Sequence, residues 1–170
     1  MFFIPGWLIS MLTFPGVIIH EWSHKKFCDW MGVKVSKVVY FRFGNPAGYV
    51  LHEEPATYKQ TFYISTGPLI LNTTMTFLFG YFASQTYFDS TLYWLFLWIA
   101  ISSGMHAFPS DHDGKHIVSK SKESIKNGGT VIHYLAYPFY WLLWTANKLR
   151  FFWFDLIYAV MLVYAVGGLQ

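Results

Sequence analysis

The chain has 170 residues, a length that suits one domain. Apolar residues make up 54%, aromatic residues 22% and charged residues only 12%, the last about half the share usual in soluble domains; mean hydropathy is +0.33. That balance argues against an ordinary soluble domain, the net charge of +3 gives no reason to expect a nucleic-acid partner, and the single Cys28 excludes an internal disulfide and a thiolate-rich metal site.

In chain order, the first apolar run extends from Phe2 to Ile19 and leads into His20-Glu21-Trp22-Ser23-His24. It lacks a basic leader and a small-residue cleavage site, so the helix is expected to stay in the mature protein as a span over about 2–28. Pro15-Gly16 should kink or loosen it one turn before His20. Lys25, Lys26 and Asp29 then mark an exit toward water.

Residues 33–52 change period. Val35, Val39 and Phe41 fall on alternating positions among β-branched and aromatic neighbours, and Gly44-Asn45-Pro46 is a turn signal. The spacing predicts a hairpin with an open edge at a membrane surface. Two further apolar spans are predicted over about 60–85 and 91–108, followed by a polar, basic stretch from Pro109 to Asn127. Two more apolar runs, 130–146 and 151–169, close the chain.

These elements predict an α-helical integral membrane protein in contact with the lipid bilayer. A three-helix catalytic core with a small membrane-associated β-hairpin occupies 1–118. A basic loop and two C-terminal membrane helices occupy 119–170. Ten of the twelve Lys and Arg residues fall on one side of this arrangement, which places the N-terminus outside and the motif toward the cytoplasm. Lys148 and Arg150 fall on the other side, which suggests that the last two runs form a re-entrant or interfacial pair.

The pentad at 20–24 carries the chemistry. With 7 His in 170 residues, composition alone yields a His-Glu-x-x-His pattern roughly 0.007 times. Four-residue spacing puts His20 and His24 on one helix face, where both can reach one zinc at about 2.0–2.1 Å. Glu21 lies beside them, able to act on a water without being a ligand. A catalytic zinc wants a third protein ligand. Asp111, Asp113, His106, His112, His116, Glu53 and Glu54 all fall on the same side, and the Asp-rich stretch after the third span is the better source, since Asp-Gly permits a tight turn.

The pentad on one span, Gly67-Pro68 with Asn72 on the next, and Asp113-Gly114 after the third resemble the site-2 protease family of intramembrane zinc metalloproteases. Pro46-Ala47-Gly48-Tyr49 falls where that family carries its membrane-associated β segment. The resemblance covers residues 1–118. It implies one catalytic Zn2+ held by His20, His24 and Asp113, with Glu21 as the base and Asp111 as the alternative ligand. It implies an endopeptidase that cuts within or near transmembrane segments of membrane-protein substrates, held as an added strand along the edge at Val35, Val39 and Phe41. Asn72 and His106 are the candidate substrate or oxyanion donors. Asn72 stands four residues after Pro68, against three in the family. The competing readings are a membrane zinc-binding or transport protein and an inactive protease-like scaffold.

Overall fold

Pro15 and Thr13 decide where the first long helix begins. A computed structural model describes residues 5–169 of the chain. A short helix, α1 (Gly6–Leu12), stops at Thr13, and α2 (Phe14–Met31) starts at once with Pro15 in its first turn. There the missing proline N–H costs no helical hydrogen bond. The expected first span is therefore two helices rather than one kinked one, and its residues 2–4 lie outside the described residues. Gly32, with φ +70°, caps α2 in the left-handed region that favours glycine.

The hairpin forms as its period predicts, on a shorter footing. Strand β1 (Val35–Val39) pairs antiparallel with β2 (Tyr49–His52), Val35 opposite His52 and Val39 opposite Tyr49. Phe41 falls beyond β1 and packs its ring on Phe14 at 5.7 Å. Helix α3 (Tyr58–Ser84) starts from a capping box in which Thr57 and Gln60 satisfy one another's orphan N–H groups. Ser90 caps α4 (Thr91–Met105). The stretch read as a polar loop is instead an amphipathic helix, α5 (Asp111–Lys126), opened by a capping box of Ser110 and Asp113. A single turn, α6 (Val131–Tyr134), precedes α7 (Ala136–Leu149). A 3-10 turn at Arg150–Phe152 then leads to α8 (Phe154–Ala165).

Helix α3 lies against both α2 and α4, α8 packs on α4 and α3, and α5 joins α3 to α7. Phe27, Cys28, Val33 and Ile64 form a core between α2, α3 and the foot of the hairpin. The α2–α4 approach is close enough that a Cβ on Gly16 would run into the backbone carbonyl of Ser102. Outside, many large apolar side chains are exposed, among them Trp7, Phe43, Trp94, Trp141 and Tyr164.

One expectation is overturned. Among the described residues no helix is long and apolar enough to cross a membrane, which overturns the expected multi-pass architecture of membrane-spanning helices. The reasons are local. Helix α2 has 18 residues but carries His20, Glu21, His24, Lys25, Lys26 and Asp29. Helix α3 has 27, diluted by Thr, Ser, Asn72 and Gly67-Pro68. Helix α4 is apolar but has only 15 residues, about 22 Å against the ~30 Å of a hydrocarbon core. The two C-terminal helices, at 14 and 12 residues, are shorter still.

Candidate metal centre

On α2, one helical turn separates His20 from His24, and their Nε2 atoms stand 3.2 Å apart. Each ring is held from behind by a backbone carbonyl. His20 Nδ1 donates to the oxygen of His106 at 2.7 Å, and His24 Nδ1 donates to the oxygen of Ile64 at 3.0 Å. A carbonyl can only accept, so both Nδ1 atoms carry the proton and both Nε2 atoms present lone pairs. Burial lowers the pKa of both rings; for His20, burial and then the neighbouring His24 push it down to about 3. Two neutral imidazoles thus aim lone pairs at one point with no hydrogen between them. Metal–nitrogen bonds of about 2.0–2.1 Å at a tetrahedral angle put two ligand nitrogens about 3.3–3.4 Å apart. The pair stands within about 0.2 Å of the spacing zinc requires.

Asp113 approaches from α5, with Oδ2 3.9 Å from His24 Nε2. The same oxygen accepts from the Ser110 N–H at 2.9 Å and the Ser110 hydroxyl at 2.6 Å. Asp113 is therefore the third residue of a helix rather than part of a tight Asp-Gly turn. Its capping contacts leave it short of ligand distance: among the described residues, no three His, Cys, Asp or Glu side chains are yet gathered closely enough to hold an ion. A carboxylate has about four lone-pair directions, so one that caps α5 can still coordinate. The donor set of two neutral imidazoles and a carboxylate fits a zinc ion. Asp111 is exposed on the first turn of α5, and Arg150 is the charged group it influences.

Glu21 is buried beside the pair. Burial, and next the charge of Asp113, push its pKa up to about 8. The hairpin covers it: a Cβ on Gly48 would stand 2.6 Å from Glu21 Cγ. Glycine at 48 is what lets the chain entering β2 lie on the carboxyl-bearing side chain. The strand nearest the site is accordingly β2. A cavity of about 290 Å3 adjoins Asp113 and is lined by Val50, Leu51 and His52 together with Ile64 and Ser65 of α3. Neither Val35, Val39 nor Phe41 lines it.

Asn72 and His106 have other partners. Asn72 is fully buried, its Nδ2 donating to Gly16 O and Ser103 O, each at 3.1 Å, while Ser23 Oγ donates to its Oδ1 at 3.4 Å. That side chain ties α2, α3 and α4 together. The His106 ring lies 2.7 Å from Thr13 Oγ1 through Nε2, and it is the His106 carbonyl that serves the site, through His20.

Several contributors carry no motif. The carbonyls of His106 and Ile64 orient the imidazoles, and Ser110 holds Asp113. The segment between α4 and α5 is braced from the C-terminal region, where Asn147 Nδ2 donates to Pro109 O at 3.0 Å and Arg150 Nη2 to Phe108 O at 3.1 Å. Only Ser110 left a trace in the sequence, as the first residue of a Ser-x-x-Asp capping pattern.

No family model, no curated protein and no solved structure matches the chain. The likeness to the site-2 protease family therefore rests on the motif residues themselves.

Proposed function

We propose that the chain is a zinc-dependent endopeptidase of the site-2 protease type, cutting an extended segment of a membrane-protein substrate. The observation that carries this reading is the His20–His24 pair: two carbonyl-locked neutral imidazoles 3.2 Å apart, with a buried carboxyl group between them in sequence and Asp113 alongside. His20, His24 and Asp113 would hold the metal. Zinc, when bound, supplies the Lewis acidity that polarises a scissile carbonyl and acidifies an attacking water.

Glu21 then has the proton-transfer role. Its carboxyl, pushed up to about 8 by burial, loses its proton more readily beside a positive charge, which ties its use as a base to an occupied site. As base it accepts the proton of the attacking water, and as acid it returns that proton to the leaving amine. The hairpin supports a substrate in extended form. Among the described residues, 49–52 have backbone groups paired to β1 on one side only, and a peptide added along β2 would lie beside the cavity that reaches Asp113. The exposed aromatic exterior supports work at a lipid surface, where such substrates are presented.

The test compares native protein with Glu21→Gln and Asp113→Asn, measuring zinc content by mass spectrometry and cleavage of an unfolded casein and a single-span membrane protein. Glu21→Gln should keep zinc and lose cleavage; Asp113→Asn should lose zinc. Full cleavage by Glu21→Gln would sink the mechanism, and zinc depletion in Asp111→Asn with normal content in Asp113→Asn would move the third ligand.

A further inference from the structure

A second pair of histidines repeats the geometry of the first. His112 and His116 are four residues apart on α5, their Nε2 atoms 3.3 Å apart and their ring centroids 4.4 Å apart. That nitrogen separation matches the span of about 3.3–3.4 Å that two imidazoles adopt on one tetrahedral ion. Both rings line the cavity of about 290 Å3 beside Asp113, together with His52 and Glu54. His52 uses Nδ1 toward the carbonyl of Glu53 at 2.7 Å, which leaves the ring's lone pair on Nε2.

We propose that His112 and His116 form a second, weaker site for a divalent ion of the zinc or nickel class, at the mouth of the cavity that leads to Asp113. Imidazole ligands select such borderline ions over magnesium or calcium, which take oxygen ligands. Water completes the coordination, since among the described residues no third side chain is gathered with the pair. The site is weaker for two reasons. It offers two protein ligands where the α2 site can gather three, and among the described residues no backbone carbonyl holds either ring from behind, as His106 and Ile64 hold His20 and His24. Loss of such orienting partners alone lowers metal affinity about 10–100-fold. An ion on His112 and His116 also occupies space beside β2, so excess metal obstructs an extended peptide entering along that strand. This inhibitory consequence rests on the peptidase reading; the binding does not.

Metal alone is the probe. Zinc chloride is titrated into the full chain by equilibrium dialysis and calorimetry, comparing native protein with His112→Gln, His116→Gln and His24→Gln, with circular dichroism to verify each fold. Native protein should take two equivalents, the second at least about 10–100-fold weaker than the first. His112→Gln and His116→Gln should each lose the weak equivalent and keep the tight one, and His24→Gln should do the reverse. Saturation of native protein at one equivalent, or retention of two by the His112→Gln/His116→Gln double variant, overturns the site. In cleavage assays, inhibition by excess zinc, scaled to each variant's own maximal rate, should be relieved in His116→Gln; undiminished inhibition overturns the obstruction. A protein that never cleaves ends the peptidase reading and leaves the two-equivalent result to stand or fall alone.

Discussion

Ser110 and Asp113 hold one another: the Asp113 carboxylate accepts the N–H and hydroxyl of Ser110, while the Asp113 N–H donates back to Ser110 Oγ at 3.2 Å. One reciprocal contact therefore starts α5 and sets where the third metal-ligand candidate stands. Ser110→Ala should cost about 1 kcal/mol of stability, the usual worth of an N-cap, and lower zinc affinity about 10–100-fold through loss of the orienting partner. Ser110→Thr, which keeps the hydroxyl, should restore both. Thermal unfolding and a competitive zinc titration measure the pair of effects. Equal zinc affinity in native protein and Ser110→Ala would separate the cap from the metal centre.

Gly48 is placed against Glu21 so tightly that a methyl group would meet Glu21 Cγ at 2.6 Å and the carbonyl of Tyr40 at 2.9 Å. The carbonyl is backbone and cannot swing aside, so the hairpin or the base must shift. Gly48→Ala should lower kcat on the order of 10–100-fold, the scale of a small misplacement of a catalytic group, while His20, His24 and zinc content stay as in native protein. Kinetics alongside metal analysis decide this; unchanged kcat would show that the hairpin does not position Glu21.

Much of this arrangement could be read from residue order, and what could not has a physical reason. The four-residue spacing of His20 and His24 fixes a common face on any helix, so their pairing was predictable. Alternating β-branched residues marked the hairpin, and helices α3 and α4 follow the expected 60–85 and 91–108 runs closely. The composition of those runs predicts membrane crossing, yet crossing depends on the length of each unbroken helix, which Thr13, the polar middle of α3 and the 15 residues of α4 all limit. The α5 helix is hidden because the 109–127 stretch is mostly polar; its signals are the Ser110–Asp113 cap and the three- and four-residue spacing of Gly114, Ile117 and Ser121, which it buries. The Asn72 contacts and the carbonyls of His106 and Ile64 depend on which helices meet, and no side-chain motif encodes a backbone oxygen.

Asn72 provides a direct contrast between structure and catalysis. Its amide is buried and donates to two backbone carbonyls on two different helices. Asn72→Ala leaves both acceptors without their donor and should destabilise the protein by about 2–3 kcal/mol. Removal of a true oxyanion donor costs about 100–1,000-fold in kcat; here the rate per folded molecule should change by less than about 10-fold. Denaturant unfolding with active-site-normalised kinetics distinguishes the two, and a large kcat loss at unchanged stability would return Asn72 to the reacting centre.

Metal removal tests the unshielded lone pairs of His20 and His24 without any substrate. With Nε2 atoms 3.2 Å apart and both Nδ1 protons committed to carbonyls, the metal-free pair presents two lone pairs that one cation can share. Zinc should therefore raise the unfolding midpoint, with a gain of about 2.7 kcal/mol at a free concentration 100 times the dissociation constant. A chelator should reverse the gain, and magnesium should not replace zinc, because it seeks oxygen ligands in octahedral geometry. His24→Gln should unfold at the same temperature with zinc or chelator, measured at concentrations too low to fill the His112–His116 pair. A native midpoint that ignores zinc under those conditions would mean that the 20–24 pentad does not bind it.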